Sequence, residues 1–443
     1  MANRQTFILS PKWVLTMESD HVLTGHSVVV ENDIIAAVTT TDEALRQFPH
    51  AKQVELNEQL LMPGLINAHG HAAMNLFKGM ADDLPLMSWL NDHIWPAEGR
   101  WISYEFVEDG SKLAIAEMLK SGTTCFSDMY FFPEASANAS AELGMRAVCY
   151  GPVLDFPTPY GSGADDYIEK IIAAHDEYKH HPLITIGFGP HAPYTVSDEP
   201  IQKIRTLASQ LNIPIQIHLH ETEFEVHDAL EQTGQRPIER LDALGFLGPD
   251  VQAVHVTQAN QLDMDILAKN GVHVVHCPES NLKLASGFCP VDALQKNGIN
   301  VCLGTDGSAS NNDLNMFGEL HIAAILAKAV AKDAAALPAI EALRMATING
   351  AKALDMADQI GSIVEGKQAD LISIDFNHIA AQPVFDPVSH LAYNTGHTVN
   401  HVWIAGTQQV KHGKLCHINE QLYIERAQQW ADKIALGSSP ESE

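Results

Sequence analysis

The chain has 443 residues, of which 46% are apolar, and its 27 basic against 55 acidic side chains give a formal net charge of −28. Such an acidic balance argues against a nucleic acid or an anionic membrane as partner, since neither phosphates nor headgroups would be attracted. No run approaches 18 consecutive apolar residues, and the start MANRQTFILSPKW lacks the apolar length and cleavage site of a signal peptide, so a cytoplasmic globular protein with one barrel-sized domain and a smaller appendage is expected.

Residues 1–59 read as short alternating strands, FILSPKWVLTM and then HSVVVENDIIAAVTT, with a hairpin turn at Glu31-Asn32-Asp33. The same character returns in residues 361–416, in GSIVEGKQADLISIDF, VNHVWIAGTQQV and KHGKLCHI. The expectation is a small composite β-sandwich domain built from both termini: residues 1–59 as its first part, residues 361–443 as its second part with a C-terminal tail that frays at LGSSPESE.

Between them, residues 60–360 have another rhythm. Apolar, β-branched runs recur at residues 60–71, 123–130, 147–155, 184–192, 213–221, 251–258, 271–280 and 299–308. Helical patterns such as FVEDGSKLAIAEMLKSG, with three- and four-residue apolar spacing and a glycine stop, separate most of them. Eight buried-looking strands alternating with helices predict an α/β fold, a (β/α)8 TIM-type barrel. Polar residues collect where these strands end: His69 and His71, Asp128, Asp155, His191, His218 with His220 and Glu221, His255, His276 and Asp306. Barrel active sites lie at that end of the strands. Asp128 and Asp155 also suit plain strand-end turns.

The run LLMPGLINAHGH holds the first pair of this constellation. In a strand, residues i and i+2 point to one side, so His69 and His71 would project together, with Gly70 allowing close approach between them. Chance accounts for an HxH pair in a chain with 23 histidines unless matching ligands follow. His218, in HLHET, and Asp306, in LGTDGS, complete an N3O set suited to one zinc-like divalent ion with room for a water. Lowering the pKa of that water to about 7 supplies a nucleophile at neutral pH. Glu221 can then shuttle the proton that the leaving group needs, and His255 can hydrogen-bond the attacking water; ordinary core packing is the alternative for His255. In two-metal barrel hydrolases a lysine commonly stands at the end of strand four, whereas this chain has His191 in GPHAPYT, so a single ion is expected. The six cysteines, without CxxC spacing, indicate neither a disulfide framework nor a thiolate site.

With these residues in view, the chain resembles the amidohydrolase superfamily, and within it the 5-methylthioadenosine/S-adenosylhomocysteine deaminases. The resemblance lies in PGLINAHGHAAMNLFKGMADDLPLMSWL, WPAE, GPHAPYT, HLHET, HCPESNLKLASG and LGTDGSASNNDLNMFGEL. It implies metal binding by His69, His71, His218 and Asp306, and proton transfer by Glu221 and Asp306 in contact with the substrate. It also implies His255 near the water, Glu98 on the ribose hydroxyls and His191 against the substrate. From the residues alone, Glu98 is an acidic helix-start residue following Pro96.

The implied reaction is hydrolysis of the 6-amino group of an adenine nucleoside, with zinc as the expected ion and a homo-oligomer as a possible assembly. Some relatives place arginines between strands three and four that would meet a homocysteine carboxylate. From Ala147 to Ile204 this chain has none, and Lys170, Lys179 and Lys203 fall in helix-like patterns facing solvent, so methylthioadenosine is the expected substrate. Met74, Leu76, Phe77, Met80, Leu84 and Trp89 are candidates for an apolar 5′ pocket, or for ordinary core. The rival readings are a deaminase or chlorohydrolase of another heterocycle, such as a triazine, guanine or another purine, and a catalytically silent barrel scaffold.

Overall fold

The apolar run that begins at Leu60 is divided by Gly64 between two sheets. Its first residues end the long strand Lys52–Pro63, and the remainder forms the short strand Leu65–Asn67. A side chain at Gly64 would collide with Thr124, so only glycine lets the backbone pass there. The computed structural model describes residues 6–437; the end of the expected frayed tail, SSPESE, lies outside the described residues.

Strand Leu65–Asn67 opens an eight-stranded sheet whose spatial order follows the chain. The others are Thr123–Met129, Arg146–Val153, Ile184–Pro190, Ile215–Leu219, Val251–His255, His273–His276 and Val301–Leu303. Each falls within one of the eight expected runs, except that Arg146 starts its strand one residue early. Nearly every residue in them is buried, as parallel strands covered on both faces require. The Ala68 N–H donates to the Leu303 carbonyl at 2.9 Å, and the Asp306 N–H to the His69 carbonyl at 3.1 Å, bringing the last strand beside the first. Gly304 makes that approach possible, because a Cβ there would lie 2.8 Å from the His69 backbone. The result is the expected barrel. FVEDGSKLAIAEMLKS lies within helix Tyr104–Ser121, and the glycine that ends the run, Gly122 at φ +94°, stops it.

The second sheet joins strands from both ends of the chain, the composite β domain expected from the two flanks. Strand Thr6–Leu15 pairs antiparallel with His26–Glu31 and parallel with Lys52–Pro63, which pairs antiparallel with Leu371–Asp375. Twelve residues in Lys52–Pro63 are long enough to take partners on both edges, so strands from the two ends of the chain lie side by side. One face of this sheet buries Leu9, Val28, Leu56, Leu371 and Trp403 in a common cluster. Asn32, at φ +58°, turns the hairpin between His26–Glu31 and Ile34–Thr40.

By contacts the chain forms two units. One runs to Asn67 and includes Glu117–Cys125 and Asn315–Ile418; the other comprises Ala68–Ala116, Phe126–Leu314 and the chain from Asn419. This differs from the expected assignment of residues 361–443 to the sheet. Glu420–Gly437 is a helix whose Trp430 and Ile434 join an apolar cluster with Phe77 and Phe106. The Trp430 ring meets Phe106 edge-on at 5.1 Å, and its N–H donates to Asp109 at 2.9 Å. Burial of that indole decides where the helix belongs. Among the described residues no helix is long and apolar enough to cross a membrane.

Candidate active site

His69 and His71 lie just beyond strand Leu65–Asn67, their ring centroids 4.9 Å apart. His218 is in strand Ile215–Leu219, with its ring 5.0 Å from His69 and 5.5 Å from His71. Asp306 follows the last strand, and its Oδ1 stands 3.5 Å from His69 Nε2 and 3.2 Å from His71 Nε2. The four expected ligands therefore converge. Two overlapping triads have ligand atoms within 4.8 Å of one another: His69 with His71 and Asp306, and His69 with His218 and His255. His255, expected beside the water, thus also reaches ligand distance.

The outer nitrogen of each ring faces an oxygen. His69 Nδ1 meets Gln216 Oε1 at 2.7 Å, His71 Nδ1 the Met129 carbonyl at 2.6 Å, His218 Nδ1 the His191 carbonyl at 2.8 Å, and His255 Nδ1 Asn281 Oδ1 at 2.9 Å. Carbonyl and amide oxygens only accept, so each Nδ1 must donate. The Gln216 amide donates in turn to the Ala68 carbonyl, which settles its orientation. A neutral imidazole protonated at Nδ1 keeps its lone pair at Nε2, the tautomer that binds a metal. Burial and neighbouring imidazoles push His218 well below its ordinary value; burial likewise lowers His69 and His255.

Asp306 is the anionic member. Burial works against its charge, but His69 and His71 outweigh that and hold the carboxyl well below the usual range. Its Oδ1 also accepts the Gly307 N–H at 2.7 Å, while Oδ2 accepts Ser280 Oγ at 2.6 Å and Ser310 Oγ at 3.0 Å. For His71, burial lowers the pKa, yet Asp306 and the Met129 carbonyl raise it to about 9. A divalent cation would compete for that proton's place. Three neutral imidazoles and one ionised carboxylate with oriented donors are a donor set that fits such an ion.

Above this floor stand two further carboxylates. Glu221 accepts from Ser286 Oγ at 3.1 Å, lies 3.8 Å from His255 Nε2, and is pushed up to about 8 by burial and by the Asp306 charge. Glu98, on helix Trp95–Trp101, accepts from the Tyr130 hydroxyl at 2.8 Å and is raised to about 7 by burial. His191, which packs 5.0 Å from His218, hydrogen-bonds Thr195 Oγ1 through Nδ1 at 3.0 Å and is lowered to about 4 by burial. These three line a cavity of about 330 Å³ together with His71, His218, His255 and Asp306. Its wall is apolar, formed mainly by residues 86–95, 129–131 and 152–159. Met74 and Trp89 belong to that wall as expected; Leu76, Phe77, Met80 and Leu84 pack in the core behind it.

Residues 60–408 match the Amidohydrolase family. The chain is 52% identical to a 5-methylthioadenosine/S-adenosylhomocysteine deaminase of Saccharophagus degradans over 96% of both chains. The chain belongs to the amidohydrolase family. It is also 40% identical to a 5′-deoxyadenosine deaminase of Methanopyrus kandleri, covering 95% of this chain and 97% of that one. A crystal structure of an adenosine deaminase from Xanthomonas campestris with bound zinc superimposes with a TM-score of 0.96 at 47% identity, covering 97% and 98% of the two chains.

Not every strand-end residue of this amidohydrolase serves the cavity. His220 follows His218 by two, the spacing that puts both on one strand face, but the chain turns at φ +53° there, and its Nε2 accepts the Ile238 N–H at 3.2 Å, away from the cavity. Asp128 accepts the Ala72 N–H and Ser136 Oγ, fixing the loop after His71. Asp155 is exposed and accepts the Ser197 N–H, and His276 is buried outside the cavity lining. Left-handed backbone at His220, His255, Val256 and Asp306 concentrates at this end of the barrel, where strain is held in place by surrounding bonds.

Residues that the sequence reading missed supply those bonds. Glu225, buried, accepts the N–H groups of both His220 and Glu221, at 2.9 and 2.8 Å, and so fixes the turn that aims Glu221. Gln216, Ser280, Asn281 and Ser310 orient ligands from behind. Gln216 carried a signal as a polar residue two before His218 in an otherwise apolar strand, and Ser280, Asn281 and Ser310 lie in stretches that carry the resemblance.

Proposed function

We propose that this amidohydrolase removes the 6-amino group of adenine nucleosides by hydrolysis, with 5′-methylthioadenosine as the main substrate and methylthioinosine and ammonia as products. The observation that carries the reading is one cavity in which a metal-suited floor, a carboxyl with a raised pKa and an apolar wall face each other. His69, His71, His218 and Asp306 would hold one divalent ion, zinc. When bound, that ion supplies a water acidic enough to act as a nucleophile near neutral pH.

At neutral pH the Glu221 carboxyl keeps its proton, because its value is raised to about 8. It donates that proton to N1 of the purine, which makes C6 electrophilic. Water adds to C6, and the Asp306 carboxylate, ionised before the step, takes the water's proton while the His255 ring steadies the developing charge. Passing that proton to the amino group lets ammonia leave as the C6 hydroxyl becomes the carbonyl of the product, and the hydroxyl proton returns to the Glu221 carboxylate, restoring the acid for the next turnover. His191 borders the base, and Glu98 accepts from the ribose hydroxyls.

The 5′ end supports an uncharged substituent. Among the described residues lining the cavity there is no lysine or arginine, so a homocysteine carboxylate would lose water without gaining a cation. The barrel carries the chemistry and the composite sheet flanks it in sequence, with Glu420–Gly437 counted to the barrel. We place the reaction in the cytoplasm, in keeping with cysteines that form no disulfide among the described residues.

Ammonia release from methylthioadenosine, S-adenosylhomocysteine, adenosine and guanine tests the reading. Methylthioadenosine is expected to turn over fastest, and inactivity on every adenosine would remove the proposal.

A further inference from the structure

We propose that Tyr130 is a specificity-determining residue: by holding Glu98 through its hydroxyl, it makes the site select substrates that carry a ribose cis-diol. This rests on the reading of Glu98 as the ribose contact.

Tyr130 directly follows strand Thr123–Met129, is 3% exposed and lines the cavity. Its neighbour Met129 offers the carbonyl that orients His71, and the Tyr130 ring itself lies 6.0 Å from the His71 ring. Two consecutive residues of one strand end thus grip both the reaction floor and Glu98. Glu98 has no such anchor of its own. It sits on the seven-residue helix Trp95–Trp101, which continues from the π-turn Leu90–Ile94 in a long connection rather than on a barrel strand. Among the described residues Tyr130 is the side chain that hydrogen-bonds the Glu98 carboxylate.

A phenol hydroxyl donates one hydrogen bond, whereas a carboxylate accepts about four. With Oε1 occupied by Tyr130, the remaining lone pairs of Glu98 are held at a fixed distance from the metal-suited floor. A cis-diol supplies two O–H donors to them, and the purine is then spaced from the ribose so that C6 reaches the floor. Without the hydroxyl, Glu98 keeps its chemistry but loses its aim. The aromatic ring also packs in the apolar cluster with Phe77 and Phe106, so the informative change removes only the oxygen.

The experiment compares wild type, Tyr130→Phe, Glu98→Gln and the double variant of the zinc-loaded enzyme on methylthioadenosine and its 2′,3′-dideoxy counterpart, with kcat and KM measured separately. Tyr130→Phe is expected to raise KM for the diol substrate about tenfold, the scale of a hydrogen bond to a charged group, with kcat nearly unchanged. On the dideoxy substrate its loss should stay below about twofold, and the double variant should be no worse than Glu98→Gln alone. If Glu98→Gln is selective for the diol while Tyr130→Phe loses equally on both substrates, or on neither, the role of Tyr130 is overturned and that of Glu98 stands. If Glu98→Gln shows no selectivity for the diol, the ribose reading falls and this proposal with it.

Discussion

The floor of the cavity and its wall are built by different means. On the floor, His69, His71, His218, His255 and Asp306 each have a polar partner behind them, from Gln216 to Ser280, and they lie at or just past barrel strands. The wall, from Leu86 through Trp95 and again at Phe131 and Phe156, belongs to connections and relies on packing. Hydrogen bonds are directional and specify a tautomer or a lone pair; apolar contacts specify a volume and tolerate exchange. The floor therefore commits the molecule to a reaction, and the wall chooses among substrates of similar shape.

The sharpest way to break this contrast is at Glu221. Glu221→Gln should lower kcat by about 10²- to 10⁴-fold, the range for a lost general acid and base, with metal content unchanged by elemental analysis. Activity near wild type would mean that another group moves the proton. Next comes Gln216→Leu, which touches no substrate. Losing the acceptor behind His69 should weaken metal retention about 10- to 100-fold in competition with a chelator, and unchanged retention would show the floor to be less dependent on its backing.

On the wall, Leu90→Ala should raise KM for methylthioadenosine by about tenfold or less with kcat little altered, as expected for one truncated apolar contact. A collapse of kcat there would erase the distinction between wall and floor. The smallest effect concerns stability at Glu98. Burial raises its carboxyl from 4.5 to about 7, against the opposing pull of Tyr130 and His71. With the folded value above the unfolded one, its contribution is complete below pH 4.5 and is lost as pH rises through about 7. Glu98→Gln cannot ionise, so its Tm relative to wild type should climb across that window and then level; a flat difference would count against the buried charge.

Much of this was legible in the chain. The eight apolar runs became strands because Val- and Ile-rich segments bounded by helices can bury both faces only in a covered parallel sheet. His69, His71, His218 and Asp306 were readable because they end such runs. His220 was not, since it obeys the same alternation as His218 and only a left-handed turn removes it. The helix Glu420–Gly437 escaped notice because its apolar stripe is thin, with Trp430 and Ile434 as its buried residues. Tyr130 and Glu225 were invisible for another reason. Their partners lie across a strand end or a tight turn, and nothing in spacing announces a carboxylate that accepts from backbone.

By itself, the order of residues determined the barrel, the histidines and carboxylates at its strand ends and the lack of an arginine between Ala147 and Ile204, because periodicity and residue type are local properties. Tertiary structure alone decided which nitrogen of each histidine is free, which carboxyl groups keep their protons and which apolar connections line the cavity. Those depend on burial and on partners far along the chain, as Gln216 is 147 positions from the His69 it orients, and they come into being only when the strands meet.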